Sequence, residues 1–328
     1  MMILVAPYIS RNTPKILGCI VILGILIAGC GSSDVSPMPT ESPLSTPPLF
    51  ESPILESPSG LILYHSDMDG GFDVYVMDAD GSNLRQLTEA PGDDVEAIWS
   101  RDGDRIAFSS GRDDNYEVYV MNADGSNQRR LTQDQATDWG PTWSPDGASI
   151  AFASNRDGTM RLFIMSFDGA DQHPLEPLAE TIGWAPKWSP TRNEIVFVSD
   201  RDGDSELYLL QLDSGTVTQL TFNDRPDERP SWSPDGNQIA YMGAKENTTL
   251  FDPDEIYIIP REGGDPRQIT DNLVGDITPT WSPDGYWIAF SSSRDAGWSI
   301  YVMPISEAGH VLRLTNNSAW NRSPCWGP

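Results

Sequence analysis

Apolar and polar positions form short strand-like units along most of this chain, and residues 276–315 serve as the template. This unit contains four segments: 279–282 (Pro-Thr-Trp-Ser), 287–291, 299–303 and 311–315. Ser-Pro-Asp-Gly joins the first two segments, since Pro sets φ at the second turn position and Gly tolerates the positive φ that follows. In an earlier copy, Asp-Ala-Asp-Gly-Ser-Asn (78–83) joins the last two, which is typical of a hairpin. The unit predicts one four-stranded antiparallel sheet.

A tryptophan closes the first strand of each copy, and these residues count the repeats. They are Trp99, Trp143, Trp188, Trp232, Trp281 and Trp326, with intervals of 44, 45, 44, 49 and 45 residues. A period in the forties with four strands per repeat is typical of propeller blades. The first copy, 62–88, has no Trp strand before it, and the last Trp strand, 323–326, has no sheet after it. The chain is therefore predicted to be an all-β, six-bladed propeller of four-stranded antiparallel blades, closed by its C-terminal strand, which also hides both sheet edges.

The second strands are nearly continuous apolar runs, as sheets packed on both faces require. Ile106-Ala-Phe108 and its equivalents have a small central residue that lets the neighbouring sheet approach. We expect the recurring Trp to be a wedge between sheets rather than a platform for a ligand. Blade four departs from the template, because Thr-Arg-Asn replaces Asp-Gly after Ser189-Pro, and we expect Asn193 to take the left-handed conformation there.

The first 29 residues are typical of an export signal. Arg11 and Lys15 precede an apolar run over 16–29, which is short for a membrane span but suits a signal-peptide core. The run ends in Ile27-Ala-Gly-Cys30, which resembles the bacterial lipoprotein box. This resemblance implies that Cys30 is lipidated and that residues 1–29 are removed. The alternative is an uncleaved anchor helix, and both place the rest of the chain outside the cytoplasm.

Residues 30–59 form a Ser- and Pro-rich segment without helical or strand periodicity, and we interpret it as a linker. A flexible coil of this length spans roughly 30 Å and an extended polyproline chain up to about 90 Å. The propeller then occupies 60–328. Removal of the signal and lipidation of Cys30 would leave Cys325 as the one cysteine of the mature domain, so no disulfide is expected.

The charge balance restricts the partners. The chain has 48 acidic and 21 basic residues, a formal net charge of −27, which becomes −29 without the two basic residues of the signal. Nucleic acid and anionic membrane surfaces would be repelled. We therefore expect membrane contact only through the lipid anchor, no nucleic-acid partner, and a monomer. The acidity indicates a solvated exterior or, alternatively, a site for a cation or a basic partner.

Candidate ligand residues stand five positions before each Trp, on the predicted inter-blade loops. They are Asp94, Asp138, Gly183, Asp227, Asp276 and Asn321. Four carboxylates would then circle the mouth of the central channel, and Asn321 would complete the set of candidate ligand residues. Basic residues stand near them on other loops, namely Arg112, Arg156, Arg201, Lys245 and Arg294. One interpretation is that acids and bases pair between neighbouring blades and hold the loops. The other is a channel-mouth site for a cation or basic peptide, overhung by the long 245–255 connection of blade five.

Signals for other chemistry are weak. The Asp-Gly turns lack the glycine spacing and the flanking helices of a helix-loop-helix calcium site, so we interpret them as turns. Asp202-Gly-Asp204-Ser-Glu206 and Asp252-Pro-Asp-Glu255 are looser oxygen clusters and only weak calcium candidates. We otherwise predict no cofactor and no metal site. His65, His173 and His310 are the only histidines, too scattered for a metal site, and no Gly-x-Ser-x-Gly elbow occurs, so neither a triad nor any other catalytic residue is predicted.

The repeat motifs resemble those of a known family. Trp-Ser-Pro-Asp-Gly, Ile-Ala-Phe, Ser-x-Arg-Asp-Gly and Asp-Gly-Ser-Asn are similar to the WD-like propeller repeats of TolB, the periplasmic component of the Tol-Pal system. The match covers about 265 residues, but the α/β domain that precedes the TolB propeller is replaced by the Pro-rich linker. The resemblance implies a non-catalytic scaffold in the periplasm or at the cell surface that binds an envelope protein or peptide. The alternative is a propeller lyase or hydrolase with a channel-mouth metal.

Overall fold

The structure is a computed structural model, and it describes residues 57–176, 178, 181–244, 253–295, 297–306 and 310–327. These lie within one compact unit, Leu55–Pro328, and contain 24 strands and no helix. The predicted signal peptide, Cys30 and almost all of the linker lie outside the described residues.

Two strands of every blade lie closest to the channel. The innermost strands are β4 (Asp94–Trp99), β8 (Asp138–Trp143), β12 (Trp184–Trp188), β16 (Asp227–Trp232), β20 (Asp276–Trp281) and β24 (Asn321–Trp326). The second strands are β1 (Leu61–Ser66), β5 (Arg105–Ser110), β9 (Ser149–Ser154), β13 (Glu194–Ser199), β17 (Gln238–Ala244) and β21 (Trp287–Ser292). The innermost strands begin before the predicted Pro-Thr-Trp-Ser segment, because pairing with the second strand extends to its last residue, as in Asp276↔Ser292.

The two outer strands of each blade differ in length. The third strands are β2 (Asp73–Asp78), β6 (Glu117–Asn122), β10 (Arg161–Ser166), β14 (Glu206–Gln211), β18 (Asp254–Pro260) and β22 (Ser299–Pro304). The outermost are β3 (Arg85–Gln86), β7 (Arg129–Arg130), β11 (His173–Pro174), β15 (Thr216–Gln219), β19 (Arg267–Gln268) and β23 (Leu312–Arg313). Five of the six outermost strands have only two residues, shorter than the predicted 311–315, because no further strand packs outside them.

The sheet topology confirms six antiparallel blades and the predicted closure. Blade one has the order β24-β1-β2-β3, and the other five blades each contain four consecutive strands. The C-terminal strand β24 pairs with β1 through Ile62↔Trp326 and Leu63↔Cys325. The last strand of the chain thus completes the first blade, and the inner edge of β1 is paired with β24 instead of being left open.

Six hydrophobic clusters lie between neighbouring blades. In one of them, Leu63 and Val76 of blade one pack with Trp99 and Phe108 of blade two. Equivalent clusters contain the other five Trp residues at their own junctions. The Trp side chains are 6–9% exposed, which confirms their role as wedges between sheets.

Every innermost strand is interrupted by a β-bulge two to three residues before its closing Trp. In blade two, Val95 pairs with Ser109 but Ile98 pairs with Ala107, so the bulged strand has one more residue than its partner over this interval. Each bulge contains a residue with positive φ: Glu96 (53°), Gly140 (62°), Ala185 (48°), Arg229 (55°), Thr278 (53°) and Ser323 (50°). Five of these six positions are not glycine, and together they surround the channel.

Two predicted loop features turn out differently. Asn193 does not adopt positive φ, so the prediction of a left-handed conformation for Asn193 in the blade-four turn is wrong. Its side-chain amide instead donates to Asp213 Oδ1 at 2.7 Å, which holds the turn without a glycine. In blade five, β17 reaches Ala244 and β18 begins at Asp254, so strand pairing shortens the predicted 245–255 connection. Residues 245–252 of that connection lie outside the described residues.

Candidate functional site

The predicted ring of acids lies inside the fold rather than on the inter-blade loops. Asp94, Asp138, Asp227 and Asp276 are each the first residue of an innermost strand, as is Asn321 in blade one. All five are at most 2% exposed. Their assignment to loops was wrong because the strand ladder extends five residues before the Trp. Gly183, the sixth position, is also buried and lies just before β12.

Three of the buried carboxylates form ion pairs with arginine. Arg112 donates to Asp94 and Arg156 to Asp138, both at 2.7 Å, and Arg294 donates to Asp276 at 2.8 Å. The partners belong to the same blade, because the Arg stands two residues after the second strand and directly beside the start of the innermost strand. Pairing between neighbouring blades, the arrangement expected from sequence, is wrong for these three.

The paired arginines are themselves held in place. Arg156 Nε donates to Ser154 Oγ at 2.9 Å, and its guanidinium lies 4.6 Å from the Phe163 ring centroid. Burial raises the pKa of Asp138 to about 6, and hydrogen bonds and Arg156 only partly offset this effect. A buried carboxylate of this kind depends on its counter-ion.

The acidic position of blade five is exceptional. Asn223 donates to Asp227 at 2.6 Å. Burial and the neighbouring charge of Glu206 raise the pKa of Asp227 to about 8, and burial raises that of Glu206 to about 7. Lys245, the base expected beside Asp227, lies outside the described residues.

The two remaining ring positions lack an acid. In blade four, Gly183 holds the ring position, and Arg201 is exposed, with its guanidinium 4.2 Å from the Tyr208 ring centroid. In blade one, Asn321 exchanges hydrogen bonds with Asn317. The structure thus brings the predicted positions to one level of the ring, but as buried strand residues rather than as loop carboxylates.

The inter-blade loops and the connections between second and third strands share one face, which we call the mouth face. They meet directly, since the backbone N–H of Trp320 donates to Asp67 Oδ1 at 2.7 Å. Large apolar side chains on the inter-blade loops are exposed to solvent here. They are Ile182 (40%), Phe222 (75%), Leu273 (93%) and Trp320 (41%).

Charged side chains accompany these apolar groups on the mouth face. The Arg322 guanidinium lies 4.5 Å from the Trp298 ring centroid and 4.9 Å from that of Trp320. Several acids on the connections between second and third strands are exposed: Asp69, Asp113, Asp114, Asp157, Asp200, Asp202 and Asp295. The exposed negative charge of this face thus includes these side chains and excludes the buried ring.

An ion pair spans the channel below the mouth. Arg229 Nη1 of blade five lies 2.8 Å from Glu96 Oε1 of blade two, on the opposite side of the ring. Ser323 Oγ donates to the same oxygen at 3.2 Å. Burial opposes ionisation of Glu96, but Arg229, Lys187 and other neighbours outweigh it and lower the pKa of Glu96 to about 2. The sequence analysis missed this pair. A signal was present, because Glu96 and Arg229 occupy the same repeat position, three residues before the Trp, in blades that are three repeats apart.

Metal ligands are not gathered into a recognisable set. Among the described residues, no group of three or more His, Cys, Asp or Glu side chains is arranged to hold a metal ion. The weak calcium candidate at Asp202, Asp204 and Glu206 falls under this finding, whereas Asp252 lies outside the described residues. His65 is buried, and burial lowers its pKa to about 4, while His173 and His310 are exposed. Within the described ranges, no helix has the length and apolarity needed to cross a membrane.

Comparisons with known proteins agree with this architecture. The family model of the tricorn protease N-terminal β-propeller domain matches residues 68–157, and that of the TolB β-propeller domain matches 177–250. No curated protein matches the sequence. The chain is a six-bladed β-propeller, and its repeats are of the TolB-like type.

Solved structures of different function have a similar fold. TolB from Acinetobacter baumannii superimposes with a TM-score of 0.72 at 19% identity, covering 83% of this chain and 68% of that one. A chain of a nidogen/laminin complex gives 0.63 at 8% identity, covering 81% and 97%. Oligogalacturonate lyase in complex with manganese gives 0.55 at 15% identity, covering 78% and 74%. At these identities the similarity establishes the fold alone.

Proposed function

We propose that this protein is a non-catalytic, extracytoplasmic scaffold that binds a protein or peptide at its mouth face. The observation that carries the proposal is the set of exposed apolar side chains on the inter-blade loops. Phe222 and Leu273 are 75% and 93% exposed, although they follow buried Thr residues at the ends of two blades. Large apolar side chains exposed on one face of a domain are typical of interaction surfaces. The TolB and nidogen/laminin structures add support, because similar propellers occur in envelope and extracellular proteins.

The charge of the mouth face favours a basic partner. Exposed Asp residues on the connections between second and third strands add to an overall charge of −27. A negative field of this kind accelerates the encounter with a cationic partner and weakens with salt. Apolar contacts would then retain the partner, with Trp320 as an aromatic anchor of the kind found at interface hot spots.

The buried ring supports this face from below in our proposal. Asp94, Asp138 and Asp276 each fix an arginine two residues after the second strand, and so fix the connection on which it lies. Direct contact of these carboxylates with a ligand, together with Asp227 and Asn321, stays a prediction. Ligand contact with Asp94, Asp138 or Asp276 requires their ion pairs with Arg to open, whereas the exposed apolar side chains of the mouth face can contact a partner without rearrangement.

The test is capture of the native partner by surface variants. Phe222→Ser and Leu273→Ser should each weaken capture of a cross-linked partner from the native envelope at least tenfold, since each removes an exposed apolar contact. Leu84→Ser is the matched control, because Leu84 is 46% exposed but lies on the turn before β3, away from the mouth face. Equal capture by all three variants would contradict the proposed surface.

The alternative function is that of an enzyme with a channel-mouth metal. The observation that favours it is the similarity to oligogalacturonate lyase in complex with manganese. Measuring the metal content of the protein isolated from its native envelope separates the two functions. Stoichiometric manganese or another divalent metal, lost on Asp227→Asn, would support the enzyme and oppose the scaffold.

The location of the scaffold is part of the proposal. The TolB-like fold supports an extracytoplasmic location, and the sequence Ile27-Ala-Gly-Cys30 supports attachment by a lipid on Cys30. Cys30→Ser should release the protein from the membrane fraction or leave its signal uncleaved. A variant that stays membrane-bound at the parent's mature mass would contradict lipidation.

A further inference from the structure

A cavity of about 550 Å³ occupies the half of the channel that lies away from the mouth face. It begins at the bulges, where Glu96 and Thr278 line it, and extends to the turns between innermost and second strands, where Ser100 and Pro283 line it. Arg101 and Pro283 are exposed at this end, so the cavity opens on the face opposite the mouth. Its volume falls in the range of small-molecule sites.

The walls are mostly apolar and the inner end is polar. All six Trp residues that close the innermost strands line the cavity, together with prolines of the same strands and turns. The Glu96–Arg229 pair and Ser323 Oγ cross the channel at the inner end. A ligand entering from the open end therefore passes Arg101 at the rim and then mostly apolar walls before it reaches the charged groups at the inner end. Mostly apolar walls with a few polar groups are typical of specific pockets.

The charges of the lining have the opposite sign to those of the whole chain. Arg101, Lys187 and Arg229 line the cavity with Glu96 as the one carboxylate, in a chain of net charge −27. Arg229 is occupied by Glu96, whereas the Lys187 ammonium forms no ion pair or hydrogen bond with any residue in the described ranges. Lys187 is thus the cation best placed to receive an anion.

Two further features distinguish the lining of the cavity from an ordinary packed core. Within the described part of the chain, four of the six Trp residues have an indole N–H without a hydrogen-bond partner: Trp99, Trp143, Trp188 and Trp281. These buried donors without a partner are unusual in a packed core and lie in side chains that line the cavity. Glu96, Arg229 and Thr278 keep positive φ, and strained backbone of this kind clusters at functional sites.

We propose that this cavity binds a small anionic molecule with a flat apolar body, of the class of an aromatic carboxylate, sulfonate or phosphate ester. The apolar body lies against the prolines and the exposed edges of the Trp side chains, and the anion pairs with Lys187 near the inner end. The site is independent of the proposed partner surface, because it opens on the opposite face of the ring. A scaffold with this site senses or carries a small molecule while its mouth face holds a partner.

Cys325 provides a reporter inside the cavity. It lines the cavity and is partly exposed, and burial raises the pKa of its thiol. The full-length protein is treated with sulfonatoethyl or trimethylammonioethyl methanethiosulfonate, and labelling of the Cys325 peptide is followed by mass spectrometry. We expect the anionic reagent to react about tenfold faster than the cationic one, because the nearby cations attract it. Naphthalenesulfonate at millimolar concentration should protect Cys325, and uncharged naphthalenemethanol should protect it far less.

Variants separate the site from general surface charge. Lys187→Gln should abolish both the charge preference and the protection, whereas Lys187→Arg should retain them. Arg101→Gln removes the same charge at the exposed rim and should change the preference less than twofold, and Phe222→Ser on the mouth face should change nothing. The proposal is overturned if Cys325 reacts with neither reagent, if both reagents react at the same rate, or if naphthalenesulfonate still protects the Lys187→Gln protein.

Discussion

The ion pair across the channel makes a quantitative prediction for Glu96→Gln. Glu96 and Arg229 are 133 residues apart in the chain and belong to opposite blades, so their contact ties the two sides of the ring together. The pKa of Glu96 falls from an ordinary 4.5 to about 2 in the folded protein. This difference corresponds to about 3 kcal/mol of stability at neutral pH.

The pH dependence follows from the direction of this shift. A carboxyl group with a lowered folded-state pKa stabilises the fold fully above its unfolded pKa, and this contribution disappears as the pH falls to the folded pKa. The parent should therefore exceed Glu96→Gln in stability by about 3 kcal/mol from pH 6 to pH 8. The gap should shrink below about pH 4 and close near pH 2.

Urea denaturation and thermal melting over this pH range provide the assay. A loss of about 3 kcal/mol corresponds to roughly 6–10 °C in melting temperature for a domain of this size. Glu89→Gln removes an equivalent charge from an exposed loop and should change stability by less than about 0.5 kcal/mol. The double variant Glu96→Gln/Arg229→Gln should recover part of the loss, because no unpaired buried cation remains.

One result would refute the reasoning on this pair. If Glu96→Gln melts within about 2 °C of the parent at neutral pH, well under the expected shift of roughly 6–10 °C, the channel pair does not stabilise the ring. A gap that is the same at pH 3 and pH 7 would show that the lost stability comes from packing rather than from the charge.

Three further predictions concern the ring and its backbone. Arg156→Gln should lower the free energy of unfolding by about 3 kcal/mol in urea denaturation at pH 8, because Asp138 keeps a buried charge without its counter-ion. If this loss does not lessen below pH 6, the pKa of about 6 for Asp138 is contradicted. Asp227→Asn should raise the melting temperature more at pH 8 than at pH 5, since a pKa raised to about 8 makes the ionising Asp227 increasingly destabilising up to that pH. A benefit independent of pH would contradict the raised pKa, and a loss at pH 8 would indicate a cation beside Asp227. Gly92→Ala should destabilise the protein by more than about 2 kcal/mol in thermal melting, because Gly92 has positive φ and an added Cβ would lie 2.8 Å from backbone atoms. Gly140→Ala, also at positive φ but with open space around the added Cβ, should cost only about 1–2 kcal/mol.

The sequence by itself determined the architecture of this protein. Blade number, strand content and ring closure could be predicted because the sequence patterns that encode them are local and repeated. These patterns are a Trp every 44 to 49 residues, a turn after each Trp, and two incomplete ends that complement each other. The Trp wedges followed for the same reason, because each blade must bury both faces against identical neighbours. Repetition makes such features predictable from the sequence, since every copy repeats the same packing requirement.

Only the tertiary structure decided how the site is built. The Asp94–Arg112 pair depends on the strand extending to Asp94, which sequence could not fix because the ends of strands are set by pairing. The Glu96–Arg229 contact depends on the ring bringing opposite blades together across the channel, over 133 residues of chain. The positive φ at Glu96 depends on a bulge that places a non-glycine residue in a conformation no local pattern demands. Burial is a property of the closed ring, and it turned the predicted exposed acids into paired ones and left the apolar loops and the cavity as the accessible surfaces.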